Sequence, residues 1–472
     1  MGPFSTLFST KPFLITIYFI THMSIPISPV LLEENQANQR NEMEMKSAFR
    51  SSVKDILARR DVFIKSSGAL KIGFEMEASI IFPDGNPVPE VVRNKIKDEV
   101  PHADPELGAQ QIEWRTDPIN IAEPNGLTAL VSQAISRDTE MSLAASHSGA
   151  HIVRLGTQPL IPLTEIVRTD KEKYKKVPDF HNENRFRRDT KVGLVEQVDM
   201  NDAAVVALLN SLQCNLETES LEDAVDLTNR SLMIGPLAVA ISGNARFLEG
   251  KDTGFNDIRA TAWEVSHDTR TEEERKRNKG LRIGLPEDYF VDIEDYFARV
   301  ASHPFILHSP ENALKIGIGL FWQDTRIKII DDSAVVEFRP VSIQPSVRED
   351  IAVMLFYLGR LQWSKMTSEE LVPIDNVREQ RALAMQVGIQ PFLETLPLEL
   401  QRAQDALSAS GMSGEELKPF FDILDQRVRN GKTPSDIFSE KVKRNSGVIA
   451  VSSTSVFAWG VNITITPPIC FC

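Results

Sequence analysis

The stretch GFEMEASIIF, residues 73–82, sets two glutamates two positions apart inside an apolar run. Read as a β-strand, it turns Glu75 and Glu77 to one face and Phe74 and Met76 to the other. Same-face neighbours on a strand lie roughly 6–7 Å apart, so the pair repels unless cations stand between or beside it. Three further segments repeat the pattern. QQIEWRT (110–116) sets Gln111, Glu113 and Arg115 against Ile112 and Trp114. NSLQCNLE (210–217) sets Gln213 and Asn215 against Leu212, Cys214 and Leu216. In 335–339, Glu337 and Arg339 oppose Val336 and Phe338, and Glu106 sits just before the second segment. One such strand is an ordinary half-exposed sheet. Four of them, bearing carboxylates, carboxamides and arginines with almost no Lys or Thr, read as a shared polar wall.

Carboxylates and amide oxygens without Cys or His suit a hard ion, Mg²⁺ or Mn²⁺. Mg²⁺ usually arrives with phosphate oxygens, which makes a nucleoside triphosphate the natural co-substrate. Arginines on the same surface suit carboxylate or phosphate groups. No GxxxxGK[ST] loop and no GxGxxG after a strand is present, so a nucleotide would lie on the sheet and not on a helix N-terminus. A Gly-x-Ser-x-Gly elbow is also missing, which leaves a serine hydrolase without support.

The 472 residues carry a net charge of −14. That excludes a dedicated nucleic-acid binder, which needs a basic patch. Three cysteines, Cys214, Cys470 and Cys472, form no disulfide framework, so a cytoplasmic location is the default. Cys214 reads as a small hydrophobe. Residues 12–32 lack Asp, Glu, Lys and Arg over about the length of a membrane span. Three prolines interrupt them, so 1–45 reads as an extension without fixed structure, with a membrane anchor as the minor alternative.

The periodicity predicts helices over 43–60, 127–145 and 221–241, the last opened by Ser220 and Asp223. Strands are expected at 70–82, 110–116 and 210–217, and a β-pair between 312–321 (NALKIGIGLF) and 326–339. From 346 to about 430 the pattern is mostly helical. Strands mixed with long helices, without a β-α-β rhythm, indicate an α+β fold around an antiparallel sheet. The expected layout is one domain over 46–440, its part from 346 mostly helical, followed by a tail, 441–472.

Together these motifs resemble the glutamate–cysteine ligase family, in particular its carboxylate–amine ligase branch. GFEMEASII followed by PELGAQQIEWRTDP is similar to that branch's Gly-x-Glu-x-Glu, Pro-Glu-Leu, Gln-x-Glu and Thr-x-Pro elements. GTQPLIP (156–162) and NRF (184–186) look like its Gly-x-x-Pro and Arg-Tyr steps. SLQCNLE is similar to the plant-type version, with Gln-x-Asn where other branches have histidines. SGNARFLEGKDTGFNDIRATAW (242–263) and VVEFRP follow in family order, so the resemblance covers about 70–345.

The resemblance implies a glutamine synthetase-like funnel of antiparallel sheet flanked by helices. It also implies ATP-driven phosphorylation of a glutamate γ-carboxylate, followed by amine attack on the acyl phosphate. It makes Glu75, Glu77, Glu106, Glu113 and Glu337 magnesium ligands, completed by Gln213 or Asn215. Arg339 and Arg259 would hold the glutamate carboxylate or the transferring phosphoryl group, and Trp263 would shape the glutamate pocket. Arg185 and Asn244 fall on the family's substrate-binding elements. Arg246, where proline is usual, is a departure that points to a loop shaped for another substrate.

Cysteine is the commonest acceptor in the family, and another amino acid or small amine is the nearest alternative. From a different class, paired carboxylates such as Glu75 and Glu113 also suit a glycoside hydrolase, although five Trp and five Tyr are few for a sugar cleft. A catalytically dead relative is the third reading, against which every expected ligand is present. The partners expected are small molecules, with no nucleic acid and no membrane, and a homodimer is compatible with all of this.

Overall fold

The computed structural model describes residues 29–65, 70–186 and 189–444. Eight strands form one antiparallel sheet, curled into a half-barrel. They are β1 (Lys71–Ile81), β2 (Ala103–Pro105), β3 (Gln111–Arg115), β4 (Ile119–Asn120), β5 (His151–Val153), β6 (Ser211–Glu217), β7 (Thr325–Ile330) and β8 (Ser333–Ser342). The order is β7-β8-β6-β1-β3-β2, and β4 and β5 also pair with β1. The long β1, which pairs with four other strands, is thus the axis of the sheet.

One face of each central strand is apolar and closes a core. Phe74, Met76, Trp114, Leu212, Cys214, Val336 and Phe338 are all fully buried. Helices Leu221–Ser242 and Val347–Met366 cover that face, and Phe338 stacks on Tyr357 with ring centroids 3.8 Å apart. Ser220 caps the first of these helices, its hydroxyl accepting from the Asp223 N–H. Cys214 is a free thiol that burial pushes well above its ordinary pKa, so it packs and does not react. Most of the buried apolar side chains from Met45 to Leu424 form one continuous cluster, and Leu107, Tyr174 and Ala207 form a small separate one.

Two expectations need correction. Residues 29–45 are not structureless: they belong to the helix Pro29–Ala58, in which Met45 and Phe49 are buried. The segment 312–321 is not a strand. It forms a 3₁₀ turn at Pro310–Asn312 and a helix, Ala313–Gly319. Phe49 explains both, because its ring lies where a Cβ on Gly317 would come within 2.8 Å. The two helices approach closely and bury each other, and tertiary packing overrides the local alternation. The β-pair is instead a hairpin inside 325–342, turning at Asp331–Asp332.

The apolar stretch 12–32 lies outside the described residues except for its last four, which open the first helix. The tail beyond Arg444 also lies outside them. No helix among the described residues is long and apolar enough to cross a membrane.

Candidate active site

Register assembles the wall. Glu75 stands opposite Gln213 on one side and Arg115 on the other, and Glu77 stands opposite Glu113. Glu337 faces Asn215 across β8–β6 and Arg326 across β7–β8. The β8–β6 ladder slips between Phe338 and Val341, a bulge at Arg339–Pro340. Proline has no N–H to give a ladder, and a bulge is where a strand tolerates it. The freed Arg339 carbonyl accepts a 2.8 Å hydrogen bond from Arg259 Nη2.

At one end of the wall the charge is acidic and poorly answered. Glu77 accepts from the Ser211 N–H at 2.7 Å and from Gln213 Nε2 at 2.8 Å. Burial, then the charge of Glu106, still pushes its carboxyl up to about 7. Glu106 accepts from the Tyr174 hydroxyl at 3.4 Å and from the Leu107 N–H, yet burial raises it too, against the opposing charges of Lys173 and Arg339. Glu113 accepts no hydrogen bond among the described residues. Burial and the charges of Glu75, Glu106 and Glu77 hold it well above the usual carboxylate range.

The other end is the reverse. Glu337 is 0% exposed, yet both its oxygens are bound by cations. Lys328 Nζ reaches Oε1 at 2.7 Å, while Arg339 Nη1, at 2.7 Å, and Arg326 Nε reach Oε2. These three charges outweigh burial and hold the Glu337 carboxyl well below its ordinary range. The carboxamides link the two ends. Arg339 donates to Gln213 Oε1, and Gln213 donates to Glu77. Lys328 donates to Asn215 Oδ1 at 3.1 Å, and Asn215 donates to Glu75 Oε1 at 3.0 Å.

Beside this wall, Arg339 lies over the Trp263 ring at 5.9 Å. Arg259 and Trp263 share the helix Arg259–Ser266. Arg259 Nε, Arg339 Nε and Trp263 Nε1 are all buried donors without a partner among the described residues. Leaving such a donor unpaired costs about 1–3 kcal/mol, which an anionic ligand would relieve.

Other expected residues are engaged elsewhere. Arg185 donates to the carbonyls of Asn201 and Ser266, and Asn244 to those of Arg154 and Ile343; neither touches the carboxylates. Arg246 is not free to select a substrate, because it makes a two-point pair with Asp252 at 2.7 and 3.1 Å. Gln111 bonds the Leu209 carbonyl, and the exposed Arg115 pairs with Asp104. Lys328, Arg326, Tyr174 and Trp322, which packs 5.7 Å from Trp263, were not anticipated. Lys328 and Arg326 do carry a signal, since they alternate on the strand RIKII directly before the Asp-Asp turn.

The carboxylates do fit a hard divalent ion in donor chemistry, most clearly Glu113, which accepts no hydrogen bond among the described residues. No three or more His, Cys, Asp or Glu side chains among the described residues are gathered as a closed metal cage, however. The hydrogen bonds above spread the carboxylates along the wall.

The antiparallel sheet, curled into a half-barrel, lined with carboxylates and backed by helices, is the fold class that the resemblance implies. Residues 71–451 match the model of glutamate-cysteine ligase family 2, and the chain belongs to that family of carboxylate–amine ligases. Membership sets aside the glycoside hydrolase reading. Among solved structures, a bifunctional glutathione synthetase from Pasteurella multocida is 12% identical, with a TM-score of 0.52 over 86% of this chain and 52% of that one. This chain therefore spans about half of that protein, and the likeness is one of fold. A glutamate–cysteine ligase from Francisella tularensis in complex with AMP is 13% identical, with a TM-score of 0.49 over 81% and 86% of the two chains. No curated protein sequence matches.

Proposed function

We propose that this protein is an ATP- and Mg²⁺-dependent ligase that joins the γ-carboxylate of glutamate to an amine, cysteine being the first candidate. The observation that carries this reading is a juxtaposition. Carboxylates raised by burial and mutual repulsion stand on the wall, beside buried, unpaired donors on Arg259, Arg339 and Trp263. The first set suits the cation of a metal nucleotide, and the second suits the anionic oxygens of substrate or phosphate.

A γ-carboxylate oxygen would attack the terminal phosphorus of ATP and expel ADP. The amine nitrogen would then attack the acyl carbon, phosphate would leave with the C–O bonding pair, and the amine would lose its proton. Glu77, Glu106 and Glu113 would hold Mg²⁺, which supplies charge neutralisation on the transferring phosphoryl group. Arg339 and Arg259 would bind and orient the anionic groups, and Trp263 would wall the pocket from water.

The test is ADP release from the folded protein with glutamate and Mg²⁺, across a panel of amines with cysteine first. Amine-dependent ADP release supports the reading. Its absence across the panel overturns it.

A further inference from the structure

The ammonium of Lys328 stands among three of the side chains expected to ligate metal. It lies 2.7 Å from Glu337 Oε1, 3.1 Å from Asn215 Oδ1 and 3.4 Å from Glu75 Oε1. Two carboxylates and a carboxamide oxygen are the donor set that a hard divalent ion takes. Here a compact point charge with three N–H donors takes it. Glu337 has nothing left to offer, because Arg326 and Arg339 engage its second oxygen. A divalent ion entering this corner would meet an ammonium and two guanidiniums around one buried carboxylate. At the opposite end, Glu113 accepts no hydrogen bond among the described residues, and no cation lies within hydrogen-bond distance of Glu106 among them.

We propose that Lys328 is a resident cation replacing one divalent ion at the Glu75–Asn215–Glu337 corner, so that this corner itself takes up no metal. This inference rests on the ligase reading above and departs from the full ligand set that the family resemblance implies. In this arrangement the charge facing a bound phosphate at that corner is covalently attached and independent of metal concentration. Lys328 is a positioning and charge-supplying residue there, and Glu337 is its anchor.

The test counts bound Mn²⁺ per full-length chain by electron paramagnetic resonance, at neutral pH, for the wild type, Lys328→Met and Lys328→Arg. Lys328→Met is expected to gain one Mn²⁺ per chain, while Lys328→Arg keeps the wild-type count. Equal, non-zero counts in all three overturn the inference and leave the ligase reading standing. Zero in all three overturns both. A second measurement needs no variant: wild-type lysines are acetylated with and without saturating Mn²⁺ and mapped by mass spectrometry. Lys328 is expected to stay equally protected in both conditions. A rise in its labelling on adding Mn²⁺ means that metal displaces the ammonium, which overturns the inference even where Lys328→Met does not fold.

Discussion

The two ends of the carboxylate wall use the same side chain for opposite purposes. Glu337 is buried and bound by three cations, whereas Glu113 is walled in by other carboxylates and accepts no hydrogen bond among the described residues. The cost of burying a charge is met inside the protein at the first end and left for a ligand at the second. Stability should therefore concentrate at Glu337 and activity at Glu113. The contrast can be broken by exchanging one carboxylate for its amide at each end.

The largest expected effect is on folding. Glu337→Gln leaves Lys328, Arg326 and Arg339 without their counter-charge and should cost about 3–5 kcal/mol, read as a drop in the urea midpoint. A cost below about 1 kcal/mol, the range of an exposed pair, would mean that these ion pairs are too solvated to matter. Next, Glu113→Gln should lower amine-dependent ADP release by about 10²–10³-fold, in line with loss of one preorganised electrostatic group. Its urea midpoint should hold or rise, because one of four mutually repelling carboxylates is gone. A variant that is destabilised and still active would reverse the comparison.

The smallest effect is a difference in pH dependence. The Glu77 carboxyl rises in the folded chain from 4.5 to about 7, so the folded state holds the extra proton between those values. Its favourable contribution is complete below about 4.5 and is lost as pH rises through about 7. The Glu337 carboxyl is depressed, so its contribution is complete above about 4.5 and is lost as pH falls through the folded value. Without added metal, the stability of the wild type relative to Glu77→Gln should decline from pH 4.5 to 7. Relative to Glu337→Gln it should stay level there and collapse only in acid. Urea titrations across pH decide this; a level Glu77 difference would show that the acidic end is compensated after all.

The polar face of the wall was legible because a strand has period two, and Glu75, Glu77, Glu113, Gln213, Asn215, Glu337 and Arg339 all follow it. The cations answering Glu337 were not. In NALKIGIGLF, Leu314, Ile316, Ile318 and Leu320 alternate like a strand. The burial of Ala313, Gly317 and Ile318 is instead helical and is set by contact with Phe49, more than 260 residues earlier in the chain. Placing a strand there moved the hairpin and hid the pairing of Arg326 with Glu337. For Arg185, Asn244 and Arg246 the motifs carried no information about contacts. A motif does not say whether an arginine's donors are already spent on carbonyls or on a neighbouring aspartate.

The carboxamides Gln213 and Asn215 make the two ends into one circuit. Each amide has a fixed sense: its oxygen is held by a cation and its nitrogen by a glutamate, so Arg339 is wired to Glu77 and Lys328 to Glu75. Reversing either amide would aim an N–H at a cation and an oxygen at an anion, so both wires are polarised and neither has a stable second setting. An imidazole in the same place would gain a proton within the working pH range and could change partners. An amide does not titrate. The wall is thus a pH-independent frame around carboxylates whose own charge does vary, and proton traffic at Glu77 can proceed without disturbing the orientation of the groups beside it.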